Sequence, residues 1–78
     1  MKKPEKKSGA PVVWLTPAGE VVACVEKNKV LGENLEEIKQ VCQEALEDAV
    51  LMGCDEKQFR AVLAELIQTL KNPYSPRA

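Results

Sequence analysis

Seventy-eight residues allow one domain, and an apolar content of 45% suits a folded body rather than a chain disordered throughout. The formal net charge of −1 is unevenly spread: Lys2, Lys3, Lys6 and Lys7 against Glu5 give the first seven residues +3, while residues 8–78 hold seven basic and eleven acidic side chains, or −4. A body of that sign has no broad footprint for a phosphate backbone, and no run approaches the ~18 apolar residues of a membrane span.

Residues 1–10, MKKPEKKSGA, read as a disordered basic tail, because Lys, Pro, Gly and Ser offer nothing to bury. The apolar run Pro11 to Leu15 is too short to be a secretory leader, so a reducing, cytoplasmic compartment is expected. Residues 11–72 are expected to form the single small domain, with 73–78 a frayed tail.

Val12-Val13-Trp14-Leu15-Thr16 and Glu20-Val21-Val22-Ala23-Cys24-Val25 flank Pro17-Ala18-Gly19. Proline presets φ for a turn and glycine tolerates positive φ at its exit, so a short β-hairpin over 12–25 is expected. A competing reading has Thr16 capping a helix with Pro17 in its first position; Gly19 and Val21-Val22 are poor residues for such a first turn. Both hairpin faces would be apolar: Val12, Trp14, Val21, Ala23 and Val25 alternate with Val13, Leu15, Val22 and Cys24. A lone hairpin lying on helices buries one face, so the other needs a cover from outside.

A long helix is expected over residues 26–53. Leu35, Ile38, Cys42, Ala45, Ala49 and Met52 are spaced 3, 4, 3, 4 and 3 apart, which keeps them on one side of a helix. Val41, Leu46 and Val50 widen the row into a core-facing stripe. Gly32 marks a site where the helix can kink or break, and Asn34 would cap the new start. Gly53 suits the left-handed position after a helix end. Asp55 then reads as the N-cap of a second helix over 55–71, with Gln58 completing a capping box and Cys54 and Phe59 placed as a hydrophobic staple. Phe59, Val62, Leu63, Leu66, Ile67 and Leu70 share one face, and Asn72-Pro73 supplies a stop. A connection of two or three residues folds the helices back on one another. The expected class is mostly α (small α+β): an antiparallel helical hairpin with a short N-terminal β-hairpin, dimerising into a four-helix arrangement.

Chemistry is sparse. The chain has no histidine, which removes Ser-His and Cys-His nucleophile pairs and imidazole metal sites. Cys24, Cys42 and Cys54 are an odd number, lie 18 and 12 positions apart, and read as small core hydrophobes without disulfides. Cys54 precedes a helix start and is the best candidate for a reactive thiol, although its staple role explains it equally. The glycines are isolated, so no phosphate loop is present. A helix-turn-helix across Gly53 would have Lys57, Arg60 and Lys71 as the cations of its second helix, too few to hold a groove. No catalytic residue, metal ligand or cofactor is assigned. Glu44, Glu47 and Asp48 crowd one patch, readable as a dock for a basic protein partner, a weak divalent-cation site or a solvated face. Trp14 is the first choice for an interface anchor.

These readings make the chain a non-catalytic protein–protein interaction module that self-associates, with Val12, Trp14, Val21, Val22, Glu44, Glu47 and Asp48 as candidate interaction residues and a homodimer as the expected state. Other function classes weighed are an apolar small-molecule binder, a nucleic-acid-binding regulator and a cysteine- or carboxylate-based enzyme. The physical case for self-association is surplus: two apolar helix stripes and a two-faced hairpin are more than one copy hides.

Overall fold

The computed structural model describes residues 12–74, so the tail expected over 1–10 and residues 75–78 lie outside the described residues. The structure is mostly helical: α1 (Val25–Leu51) and α2 (Glu56–Gln68) touch one another as a helical hairpin. The chain divides into two compact units, Met1–Gln40 and Val41–Ala78.

In the first unit the chain reverses between residues 15 and 21. The Gly19 N–H donates to the Thr16 carbonyl at 2.8 Å, and the Thr16 N–H donates to the Glu20 carbonyl at 2.7 Å. Pro17 and Ala18 hold the turn's central positions and Gly19 follows with φ +90°. Among the described residues no non-glycine takes positive φ, so Ala18 fits a type I turn and Gly19 supplies the left-handed step after it. Thr16 Oγ1 also accepts from the Glu20 N–H at 3.2 Å. Thr16 is therefore a turn residue, not a helix cap.

The expected hairpin over 12–25 shrinks to one antiparallel bridge, Leu15 with Val21, and the described residues contain no strand. Beyond the bridge, the Val22 N–H still reaches the Trp14 carbonyl at 2.8 Å. The Val22 carbonyl, however, accepts from Asn28 Nδ2 at 3.0 Å, a side chain on the first turn of α1. Asn28 N–H takes the Cys24 carbonyl as the first helical bond. The ladder ends because its second arm is drawn into the helix start within three residues.

The helix α1 then runs 27 residues without a break, so the interruption that Gly32 allows, with Asn34 as a new cap, is not taken. One glycine costs about 1 kcal/mol inside a helix, too little to interrupt a segment whose neighbours on both sides are helical. A Cβ built on Gly32 meets nothing within 4 Å. Gly32→Ala is accordingly expected to stabilise the protein by about 0.5–1 kcal/mol, read as a higher denaturant midpoint with unchanged slope. An unchanged or lower midpoint would show that the glycine answers a need other than helix formation.

In the second unit, α1 ends two residues earlier than expected, in a Schellman arrangement. The Cys54 N–H donates to the Ala49 carbonyl at 2.9 Å and the Gly53 N–H donates to the Val50 carbonyl at 3.0 Å, with Gly53 at φ +92°. Asp55 caps α2 as its position implies: the backbone is extended (φ −72°, ψ 127°) and Oδ2 accepts from the Gln58 N–H at 2.8 Å. The far end of α2 falls at Gln68 rather than at residue 71. Thr69 decides this, since its hydroxyl donates to the Leu66 carbonyl at 2.6 Å and its own N–H and that of Leu70 make tightened i→i−3 bonds. Past the helix, the Tyr74 N–H donates to Asn72 Oδ1 at 2.8 Å, a local turn spanning Pro73.

Exposed i,i+4 ion pairs on the helices include Lys29–Glu33 at 3.8 Å and Arg60–Glu56 at 2.9 Å. Each is worth a few tenths of a kcal/mol at such exposure, and neither decides the fold.

Candidate functional site

Ala49, 5% exposed, is the one buried residue among the described ones. It sits in the last turn of α1, with Cys42, Ala45 and Leu46 half-buried on the same helix and Phe59 and Leu63 half-buried on α2. Small residues on α1 let the two helices approach, and two larger residues on α2 fill the space. Other apolar side chains of the two helices stay open: Ile38 is 54% exposed, Val41 66%, Val62 58% and Leu66 55%. The stripe read from the sequence is therefore real as a helix face, but the helical hairpin encloses only its small C-terminal end.

The N-terminal reversal behaves similarly. Leu15 and Val21 pair across the bridge and are exposed, as are Val12 and Val13. Trp14, Thr16 and Val22 are half-buried, as are Asn28 and Leu31 on the first turns of α1. One face is partly covered and the other is open, as a lone two-faced hairpin requires. The pairing differs by one position from the expected alternation, which set Trp14 beside Val21 and Leu15 beside Val22. The three-residue turn Pro17–Gly19 places Leu15 opposite Val21 instead, and such a shift moves side chains to the other face. Among the candidate interaction residues, Val12 and Val21 are thus exposed, while Trp14 and Val22 are half-buried. Val13 and Leu15 belong with the exposed pair, and the turn length was the signal that could have found them.

Glu44, Glu47 and Asp48 are exposed on the second unit's part of α1, and Gln43 Nε2 donates to Glu47 Oε2 at 2.8 Å. The reversal residues and these carboxylates belong to different units. Among the described residues, no three Cys, Asp or Glu side chains converge as a metal ion would require. Cys24 and Cys54 are exposed and Cys42 half-buried, all three as free thiols, which corrects the reading of Cys24 and Cys54 as core residues. Both lie at helix boundaries, where few neighbours can pack around a short side chain. Among the described residues, no helix is long and apolar enough to cross a membrane.

Comparison with family models, with curated proteins and with solved structures finds no match for this chain.

Proposed function

We propose that this protein is a non-catalytic interaction module whose partner is a second copy of itself. The observation that carries this reading is that Ala49 alone among the described residues is enclosed, although both helices carry apolar stripes. Leu35 and Ile38 in the first unit and Val41, Val62, Leu66 and Ile67 in the second are each 42–66% exposed, so both units leave apolar helix surface open. Open apolar surface of this kind is what an isologous contact between two copies buries, and a standard interface takes about 800 Å² from each partner. The exposed valines of the N-terminal reversal add to the surplus, and Trp14 lies beside them as an anchor. The acidic patch of Glu44, Glu47 and Asp48 is read as the solvated side of the helix, which keeps such an assembly soluble.

Light scattering behind a sizing column tests the proposal. The expected mass at micromolar concentration is twice the 8.6 kDa of one chain. A single-chain mass persisting to high micromolar concentration would remove the proposal. A shift of Trp14 emission on adding apolar probes, without any dependence on protein concentration, would instead favour a small-molecule binder.

A further inference from the structure

Beyond self-association, we propose that one flank of the helical hairpin in the second unit is a docking groove for a basic amphipathic helix of another protein. Every residue of the groove lies within Val41–Ala78. Buried Ala49 and half-buried Cys42 mark the side of α1 that meets α2, and half-buried Phe59 and Leu63 mark the side of α2 that meets α1. A helix turns about 100° per residue, so the neighbours of these contact lines can be assigned to one flank or the other. On α1, Ala45, Val41 and Met52 lie about 50–90° to one side, and Leu46 and Val50 equally far to the other. Met52 belongs to this row because its N–H still makes the helical bond to the Asp48 carbonyl, at 2.9 Å. On α2, Leu66 and Val62 lie about 40–80° to one side, and Ile67 and Arg60 about 60–80° to the other. Two right-handed helices running antiparallel bring offsets of the same sense to the same flank. Val41, Ala45 and Met52 therefore share a flank with Val62 and Leu66.

This flank has an apolar floor and acidic lips. Met52 is 75% exposed, Val41 66%, Val62 58% and Leu66 55%, and the small side chain of Ala45 leaves depth between them. From Val41 to Met52 the floor runs about 16 Å, or three helical turns, long enough for apolar anchors at i, i+4 and i+7 of a docked helix. Next around each helix come exposed carboxylates, Asp48 and Glu44 on α1 and Glu65 on α2. Residues 41–68 hold six acidic and two basic side chains, and both cations, Lys57 and Arg60, lie around the opposite side of α2. Charge thus names the occupant: a helix whose apolar stripe covers the floor while flanking Lys or Arg side chains meet the two lips. A second copy laid here by the same flank would set Asp48 and Glu65 against their own counterparts, so self-association is left to the other apolar surfaces. The opposite flank makes no such selection. There Arg60 pairs with Glu56 at 2.9 Å and Glu47 accepts from Gln43 at 2.8 Å.

Fluorescence anisotropy with the full-length protein tests the groove. The probe is a labelled synthetic helix of about 18 residues made of leucine and lysine, its leucines spaced i, i+3, i+4 and i+7. A peptide of the same composition with scrambled order and a leucine–glutamate helix serve as comparisons. The leucine–lysine helix is expected to bind with a dissociation constant of about 10 μM or tighter, and both comparison peptides at least about 10-fold more weakly. Asp48→Lys with Glu65→Lys should weaken the leucine–lysine helix about 10-fold or more, and Val62→Gln, on the floor, should weaken it as well. Glu20→Lys with Glu47→Lys changes the net charge by the same amount at exposed positions off this flank, and should change affinity less than about 3-fold. Circular dichroism confirms that each variant keeps the helical content of the native protein. Equal weakening by the two double substitutions would mean attraction by overall charge and would overturn the groove. Binding of the scrambled or leucine–glutamate peptide as tightly as the leucine–lysine helix would overturn it too, as would no binding at all. None of these results bears on the mass of the protein alone, so the groove and self-association stand or fall separately.

Discussion

Under the proposed self-association, Ile38→Glu is expected to leave single chains at concentrations where the native protein would pair. Ile38 lies near the middle of α1 and is 54% exposed in one copy. Within a lone chain the substitution touches no enclosed space, and an exposed helical site tolerates glutamate within about 0.5 kcal/mol. Across an interface the same carboxylate loses its water without gaining a partner, at a cost of about 3 kcal/mol, or roughly 150-fold in dissociation constant. Sedimentation equilibrium at several loading concentrations measures this directly. Helical signal should fall together with dimer mass, because a freed copy keeps little more than the Ala49 contact as core. An unchanged dissociation constant would show that Ile38 faces solvent in the assembly and that another face makes the contact.

Gly53→Val is expected to destabilise the protein by about 2 kcal/mol, lowering the melting temperature by about 10 °C for a chain of this size. The cause is backbone conformation and not crowding. Gly53 has φ +92°, where β-branched residues are strained, yet a Cβ built there meets nothing within 4 Å. Two carbonyl groups at the end of α1, those of Ala49 and Val50, depend on this residue and the next for their hydrogen bonds. Gly53→Asn isolates the cause, since asparagine adopts left-handed conformations more readily. Thermal unfolding of both variants at one protein concentration should show the asparagine variant well above the valine variant. Equal losses would mean that the site is sensitive to any side chain, and strain would not be the explanation.

Both effects illustrate which parts of this molecule can be read from residues alone. Asp55 caps α2 and Gly53 closes α1 because each requirement is met within five residues, by one carboxylate and one positive φ. Pro17-Ala18-Gly19 reverses the chain for the same kind of reason. Register was legible only through the turn: whether Leu15 meets Val21 or Val22 depends on counting Pro17–Gly19 as a three-residue turn, and the expected strands gave way once Asn28 captured the Val22 carbonyl. Of the candidate interaction residues, Val12, Val21, Glu44, Glu47 and Asp48 are open to solvent, whereas Trp14 and Val22 are half-covered by their own chain. The open aliphatic residues Ile38, Val41, Val62 and Leu66 were read as core, because periodicity marks a helix face without saying how much neighbouring chain there is to cover it.

Periodicity, caps and turn residues by themselves determined two helices, their hairpin connection and the reversal that precedes them, since hydrogen bonds between near neighbours set such features. Tertiary structure alone decided that α1 passes unbroken through Gly32, that the N-terminal arms meet at one bridge, and that enclosure stops at Ala49. The physical reason is that burial depends on how much chain comes alongside, and a helix of 13 residues cannot shelter one of 27.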